Sequence, residues 1–328
     1  MKLRRRQCLQ LAAGAATLLI FSVGLPVQGA WSQTTGTTRV IVPFPPGGTM
    51  DILARVLTEQ IGRAEGQTML VENRPGGGSA IGTEGAARAA PDGNTVLMLA
   101  NSFVINPHLK KLNYDPLTSF EPICYLARTP NVFAVNTSSP HRTLGDLLSA
   151  ARVKPGDLTL ASVGPATTQH IAIEVFKRAA NVNMTYVPFP GDAPAVNALL
   201  GEHVASIVAT NTAVSGQVQA GKLRVLAVAS RSRIESLPDL PTVAESGFKD
   251  YEADVWFGLV APAKTPKDIA TQLAGWFSAA MRVPEVKAKL VTLGLLPVGT
   301  CGEDFAVHLR KQYDEYGRVI REAGIKVE

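Results

Sequence analysis

Two short glycine-containing segments carry the chemistry this sequence offers. In the first, Val40 to Val42 runs into Pro43-Phe44-Pro45-Pro46-Gly47-Gly48, then Thr49 and Asp51. In the second, Leu158 to Ala161 runs into Ser162-Val163-Gly164-Pro165-Ala166-Thr167, then Thr168. A glycine-rich turn entering a helix presents unpaired backbone N–H groups and the positive end of the helix dipole, so it can hold an anion without a basic side chain. Gly47, Gly48 and Gly164 permit close backbone approach, and the hydroxyls of Thr49, Thr167 and Thr168 add donors. The same residues also fit ordinary strand-to-helix turns in which Thr49 and Thr168 cap the helices. Asp51, in the first turn, fits a carboxylate that stabilises its helix through the dipole, or one that receives a ligand ammonium or hydroxyl. Phe44, Phe189 and Trp256 fit either cleft walls or ordinary core.

Competing chemistries find little support. Gly76-Gly77-Gly78-Ser79-Ala80-Ile81-Gly82 misses the dinucleotide frame by one residue and follows Pro75. Gly216 to Leu223 imitates a phosphate loop but has Leu223 in place of the metal-binding hydroxyl, and Gly221 suits a helix stop. No G-x-S-x-G elbow occurs, and His108, His141, His170, His203 and His308 lie in no nucleophile motif. His170 reads as a first-turn residue hydrogen-bonding locally ahead of a catalytic base. The histidines and cysteines show no metal-ligand spacing, so no metal and no cofactor is expected.

The elements that must position the two loops follow from the apolar pattern. In 328 residues, 46% hydrophobic and 18% charged, short β-branched runs alternate with helical spacing, as in a folded α/β protein of about two domains. Strands are expected at Val40 to Val42, Thr68 to Val71, Thr95 to Leu99, Val132 to Val135, Leu158 to Ser162, Met184 to Val187, Ala205 to Ala209, Leu223 to Ala229 and Val255 to Val260. Helices are expected near Thr49 to Ile61, Ile81 to Ala90, Pro266 to Met281, Pro284 to Leu293 and Cys301 to Ala323. The strand–loop–helix unit recurs. Ile52, Leu53, Val56 and Leu57 share one helical face after the first loop, and Ile171, Ala172, Val175 and Phe176 share the same spacing after the second. Two alike α/β lobes can face each other with these loops at the carboxyl ends of their strands.

The N-terminus has the order of an export signal: Lys2 to Arg6, then uncharged Leu9 to Leu25, then small residues near Gly29, Ala30 and Ser32. An uncleaved anchor is the weaker fit, since Gly14, Gly24 and Pro26 interrupt a short apolar run. Arg5-Arg6 also leaves the twin-arginine route open beside the general secretory one. Removing Lys2, Arg4, Arg5 and Arg6 lowers the net charge from +5 to +1, which leaves no footprint for nucleic acid. Cys124, in the apolar run Ile123 to Leu126, reads first as a buried free thiol, while an oxidising compartment permits a Cys124–Cys301 disulfide.

Over nearly the whole chain after this segment, the sequence resembles the tripartite tricarboxylate transporter substrate-binding proteins, the Bordetella uptake gene family of periplasmic solute receptors. The resemblance is carried by Val42 to Asp51 with Ala54-Arg55, Val71 to Gly78, Ala90 to Thr95, Gly221 to Ala227, Leu240 to Gly247 and Trp256 to Leu259. It implies a two-lobe venus-flytrap receptor with largely parallel sheets, a two-strand hinge near Pro130 and Asp250, and a carboxylate held between the two loops. Residues 1–32 are then the signal, 33–131 with 252–328 one lobe, and 132–251 the other. Carboxylate contacts fall to Gly47, Gly48, Thr49 and the Gly164 to Thr168 loop, with Phe44, Asn101, Ser102, Phe189 and Asn211 around the rest of the ligand. Phe189-Pro190-Gly191 stands where members often have Tyr-Lys-Gly, and Ala205 where an acidic residue is common; fewer polar handles speak against amino-acid ligands and leave mono- or dicarboxylates, aromatic ones included, open. The implied protein is a receptor and not an enzyme, and it presents its ligand to membrane transporter subunits. A sensor's receptor and a secreted hydrolase are the alternatives.

Protein recovered from the periplasm should therefore begin between Ala30 and Gln33, as read by N-terminal sequencing. Full-length chain in the cytoplasm or membrane would contradict the signal.

Overall fold

The computed structural model describes residues 36–325, so the export segment lies outside the described residues. In chain order, β1 (Thr38–Val42), α1 (Thr49–Glu65), β2 (Met69–Asn73), α2 (Ala80–Ala87) and β3 (Thr95–Ala100) lead to a short α3 (Ser102–Ile105). The long strand β4 (Phe120–Asn136) is followed by α4 (Leu144–Val153), β5 (Thr159–Val163), α5 (Thr168–Ala180), β6 (Thr185–Phe189), α6 (Asp192–Leu200), β7 (Ser206–Thr210), α7 (Asn211–Gln219) and β8 (Leu223–Val228). The last described elements are β9 (Asp254–Pro262), α8 (Lys267–Arg282), α9 (Pro284–Thr292), β10 (Leu296–Cys301) and α10 (Glu303–Glu322).

The strands form one mixed, curled sheet in the order β2-β1-β3-β9-β4-β7-β5-β6, with β8 and β10 also paired to β4. Each half has the same parallel core: β1 lies between β2 and β3, and β5 between β6 and β7. The unit repeated in the sequence is thus repeated in topology. Antiparallel β9, β4, β8 and β10 fill the middle, so the sheet is less parallel than the apolar runs suggest.

Side-chain alternation explains why the central strands lack polar positions. Val40, Val42, Val96 and Met98 pack on one face of the first half with α1 and α8, while Ile41, Leu97 and Leu99 pack on the other with Phe305 and Leu309 of α10. In the second half Phe133 and Val135 face Phe176 of α5, and Val132 and Ala134 face Val196 and Leu199 of α6. Helix α1 ends where Gly66 adopts φ 67° and its N–H reaches Gly62 O, a left-handed stop that suits glycine.

Strand β4 and the cysteines depart from expectation. Only Val132 to Val135 reads as strand, because Pro122 and Pro130 lack the ladder N–H and look like breaks. The chain tolerates both. Register shifts beside Pro122, and at Pro130 the strand leaves its pairing with β9 for β7 and β8. Leu296–Cys301 forms β10 rather than the start of a helix, and its register sets Cys301 opposite Cys124. The two are bonded as a disulfide, which corrects the free-thiol reading. Strand pairing, not sequence separation, brings them together.

Unfolded without reductant, Cys124 and Cys301 should resist alkylation, and both should react after reduction, as followed by peptide mass spectrometry. Replacing both with Ala should lower unfolding free energy by roughly 2–4 kcal/mol in urea titration.

Candidate functional site

The residues that line a cavity between the two halves come from the carboxyl ends of five strands. Phe44, Pro45, Gly48, Thr49, Met50 and Asp51 follow β1, and Ala100 with Ser102 follows β3. From the second half, Val163 and Thr167 to Gln169 follow β5, Gly191 to Ala193 follow β6, and Thr210 ends β7. Val255 and Phe257 of β9 form an apolar floor. No Lys or Arg lines this cavity.

Three helices therefore direct their N-termini at one space: α1, α5 and α6. Their first-turn N–H groups lack intrahelical partners, and their dipoles add partial positive charge. The caps sit one residue earlier than the sequence suggests. Gly48 caps α1 without a side-chain bond, and Thr167 caps α5 by accepting from His170 N at 3.3 Å. Thr49 and Thr168 are consequently the first helical residues, and both line the cavity.

Asp51 builds the first loop rather than offering a free carboxylate. Its Oδ2 accepts from Gly47 N and Arg55 Nε, both at 3.0 Å, and its Oδ1 accepts from Asn73 Nδ2 at 3.0 Å. Gly47 needs its φ of 80° to turn its N–H onto that carboxylate. Burial pushes the Asp51 carboxyl upward, but Arg55, the Gly47 N–H and Asn73 together hold it below the usual carboxylate value.

Across the cavity, Asp192 opens α6. Its Oδ2 accepts from Thr210 Oγ1 at 3.0 Å and lies 3.4 Å from Thr49 Oγ1, while the two threonine oxygens are 2.6 Å apart. Thr49 thus joins the first half of the sheet to the second. Burial pushes the Asp192 carboxyl up to about 6, against the bonds from Thr210 and Thr49. Its Oδ1 is buried without a partner. The sequence reading missed Asp192 and Thr210, although Asp192 follows Gly191 at the third strand-to-helix turn, the same signal that marked the other two loops.

The remaining candidates divide. Ser102 lines the cavity and its hydroxyl meets Ser79 Oγ at 2.9 Å. Gly164 and Phe189 line an adjoining outer chamber with Gly76 to Ser79 and Lys110, and the Gly164 N–H is already bonded to Phe189 O at 2.8 Å. Asn101 and Asn211 line neither space. Asn101 binds Trp256 N, Tyr316 Oη and Asp254 O, fastening β3 to β9 and α10. Asn211 packs against Gly294, where an added Cβ would lie 2.4 Å from its Nδ2. Trp256 points away from the cavity floor, as alternation from Val255 and Phe257 requires, and donates to Gln312 Oε1. His170 makes no local side-chain bond. Its ring lies against Tyr186, Nδ1 has no partner, and burial lowers its pKa. Among the described residues no metal-binding cluster occurs, and no helix is long and apolar enough to cross a membrane.

Residues 53–325 match the family described as Tripartite tricarboxylate transporter family receptor. The fold is similar to that of the periplasmic binding protein BugD, with 32% identity, TM-score 0.86 and coverage of 89% of this chain and 99% of that one. An R. palustris protein solved with adipate shares 32% identity over 90% of this chain and 99% of its own, with TM-score 0.86. MatC from Rhodopseudomonas palustris, solved with bound malate, shares 26% identity over 90% of this chain and all of its own, with TM-score 0.80.

Asp51→Ala should lower stability by roughly 1.5–3 kcal/mol, the scale of hydrogen bonds to a charged group. Because the folded-state pKa lies below 3.8, this contribution is complete above pH 3.8 and lost as pH falls through the folded value. Urea titrations of parent and Asp51→Asn should therefore converge in acid; a gap that is constant with pH would contradict the charge-based bracket.

Proposed function

The chain belongs to the tripartite tricarboxylate transporter receptor family, and on that premise we propose that it captures a small carboxylate between two lobes and presents the closed complex to membrane subunits of a carrier. It is a periplasmic solute-binding receptor for small carboxylates. The observation that carries the mechanism is the convergence of three helix N-termini on a cavity with no cationic lining. Such a site holds a carboxylate by backbone N–H groups and hydroxyls, with charge supplied by helix dipoles. Relatives bound to adipate and malate support this chemistry.

The proposed lobes are residues 33–131 with 252–328, and 132–251. Strand β4 crosses between them at Pro130 and Asn131, and the chain returns just before β9. Asn131 N donates to Ala253 O at 3.2 Å, Ala229 N to Asn131 O at 2.8 Å, and Ala253 N to Ala229 O at 2.7 Å. These few bonds form a narrow hinge, on which a ligand that contacts both lobes shifts the population toward closure. Delivery to a membrane sensor uses the same capture step. Export through the N-terminal segment completes the proposal.

A panel of small carboxylates should contain one that raises the melting temperature saturably, by an amount equivalent to roughly 2.7 kcal/mol at a hundredfold excess over Kd. Matching amides should do less; equal stabilisation by acid and amide would contradict the anion site, and turnover would favour a hydrolase. Gly48 has an ordinary φ, and an added Cβ there meets only Pro45 O at 3.7 Å, so Gly48→Val should fold yet block the cavity. Small-angle scattering should show the parent compacting with ligand and Gly48→Val failing to do so. Thr168→Val should weaken binding about tenfold, the scale of one lost hydrogen bond to a charged group.

A further inference from the structure

A carboxylate receptor with a second carboxylate inside its cavity poses an electrostatic problem. Asp192 is 8% exposed, and Oδ2 is taken by Thr210 while Oδ1 is buried with no protein partner. No Lys or Arg lines the cavity to offset two anions in contact. Two carboxylates sharing one site cannot both stay ionised cheaply, and the stable arrangement keeps one proton between them. Since Oδ2 already accepts, the free position for that proton is Oδ1.

We propose that Asp192 enters the ligand complex as the neutral acid, donating its Oδ1 hydrogen to the bound carboxylate, so that capture of one anion takes up one proton. The inference rests on the carboxylate-receptor reading above. When free Asp192 is ionised, solvent supplies the proton on binding, and it returns to solvent on release. Burial already raises the Asp192 carboxyl to about 6, so the group is ionised above that pH yet gains its proton more readily than an exposed carboxylate does.

The other ionisable groups around it do not account for such uptake. On α1, Asp51 is paired with Arg55 and its pKa is lowered. On α5, His170 is buried and titrates below 6.5, so it stays neutral where the effect is expected. Tyr186 on β6 and Tyr316 on α10, which meets Thr168, have hydroxyls pushed up to about 12. The first turn of α7, Asn211 to Ala213, has no ionisable side chain. Asp254 of β9 is paired with Arg128 outside the cavity, and Lys110 lies in the outer chamber against Gly77 O.

The probes are adipate and malate, titrated calorimetrically into the intact protein from pH 6 to 9 in buffers of different ionisation enthalpy. Affinity should fall about tenfold per pH unit above 7, with proton uptake approaching one per ligand. Asp192→Asn, whose amide donates from the same place, should bind with nearly pH-independent affinity and at pH 8 at least tenfold more tightly than the parent. A pH-flat parent without proton uptake overturns the inference while leaving the receptor reading intact. Loss of binding in a folded Asp192→Asn overturns it as well, because Oδ1 would then accept a hydrogen from the ligand. If neither acid binds at any pH, the inference falls together with the carboxylate assignment. The proton count is made on the parent, so it holds whether or not the variant folds.

Discussion

The direction of β4 decides where everything else can be. Strand β9 runs antiparallel to it, and β3 antiparallel to β9, so β3 and its parallel partners β1 and β2 run in the same sense as β4, toward the second half. Strand β7 runs antiparallel to β4, so β5, β6 and β7 run toward the first half. The carboxyl ends of six parallel strands therefore face one another across the point where β4 changes sheets. Helices that follow those strands by short turns then begin at that gap. An unbroken strand through two half-sheets is enough to gather the helix N-termini that the proposed anion site uses.

Holding an anion this way differs physically from holding it with arginine. A buried guanidinium must itself be desolvated and paired when the ligand is absent, which is costly. Backbone N–H groups at helix ends carry partial charge whatever occupies the site, and they are fixed by the helices behind them. Arg55, a full positive charge beside the first loop, is spent on Asp51, whose carboxylate accepts the Gly47 N–H. Charge is used to set backbone geometry, and the proposed site leaves the anion to the backbone.

Much of this was legible in residues that act locally. Gly47, Gly48, Thr49, Thr167 and Thr168 announce helix entrances through turn and cap chemistry, and the repeated apolar spacing announces two similar units. What depended on pairing between distant segments was hidden. Pro122 and Pro130 disguised β4, whose tolerance of them comes from register shifts and a change of partner. Cys301 read as helical until β10 aligned it with Cys124. Asn101 and Asn211 look like ligand contacts by type and place, yet tertiary neighbours consume their polar atoms or fill their space. Asp192 was overlooked although it is the first helical residue after a glycine-containing strand-to-helix turn, the place that Thr49 and Thr168 hold in the other two loops.

The contact between Thr49 and Thr210 bears on how such a receptor stays responsive. The two hydroxyls meet at 2.6 Å across the halves, and both lie beside Asp192. A neutral hydrogen bond contributes roughly 0.5–1.5 kcal/mol, too little to hold the proposed lobes together against motion at the proposed hinge. It is enough to favour contact between the two halves. A ligand then shifts the balance only by contacts it makes to both halves at once, which means the N-termini of α1 on one side and of α5 and α6 on the other. A ligand reaching one helix end alone binds open and closed forms alike and changes nothing. The division of the donors between the two halves is therefore what the proposed closure depends on.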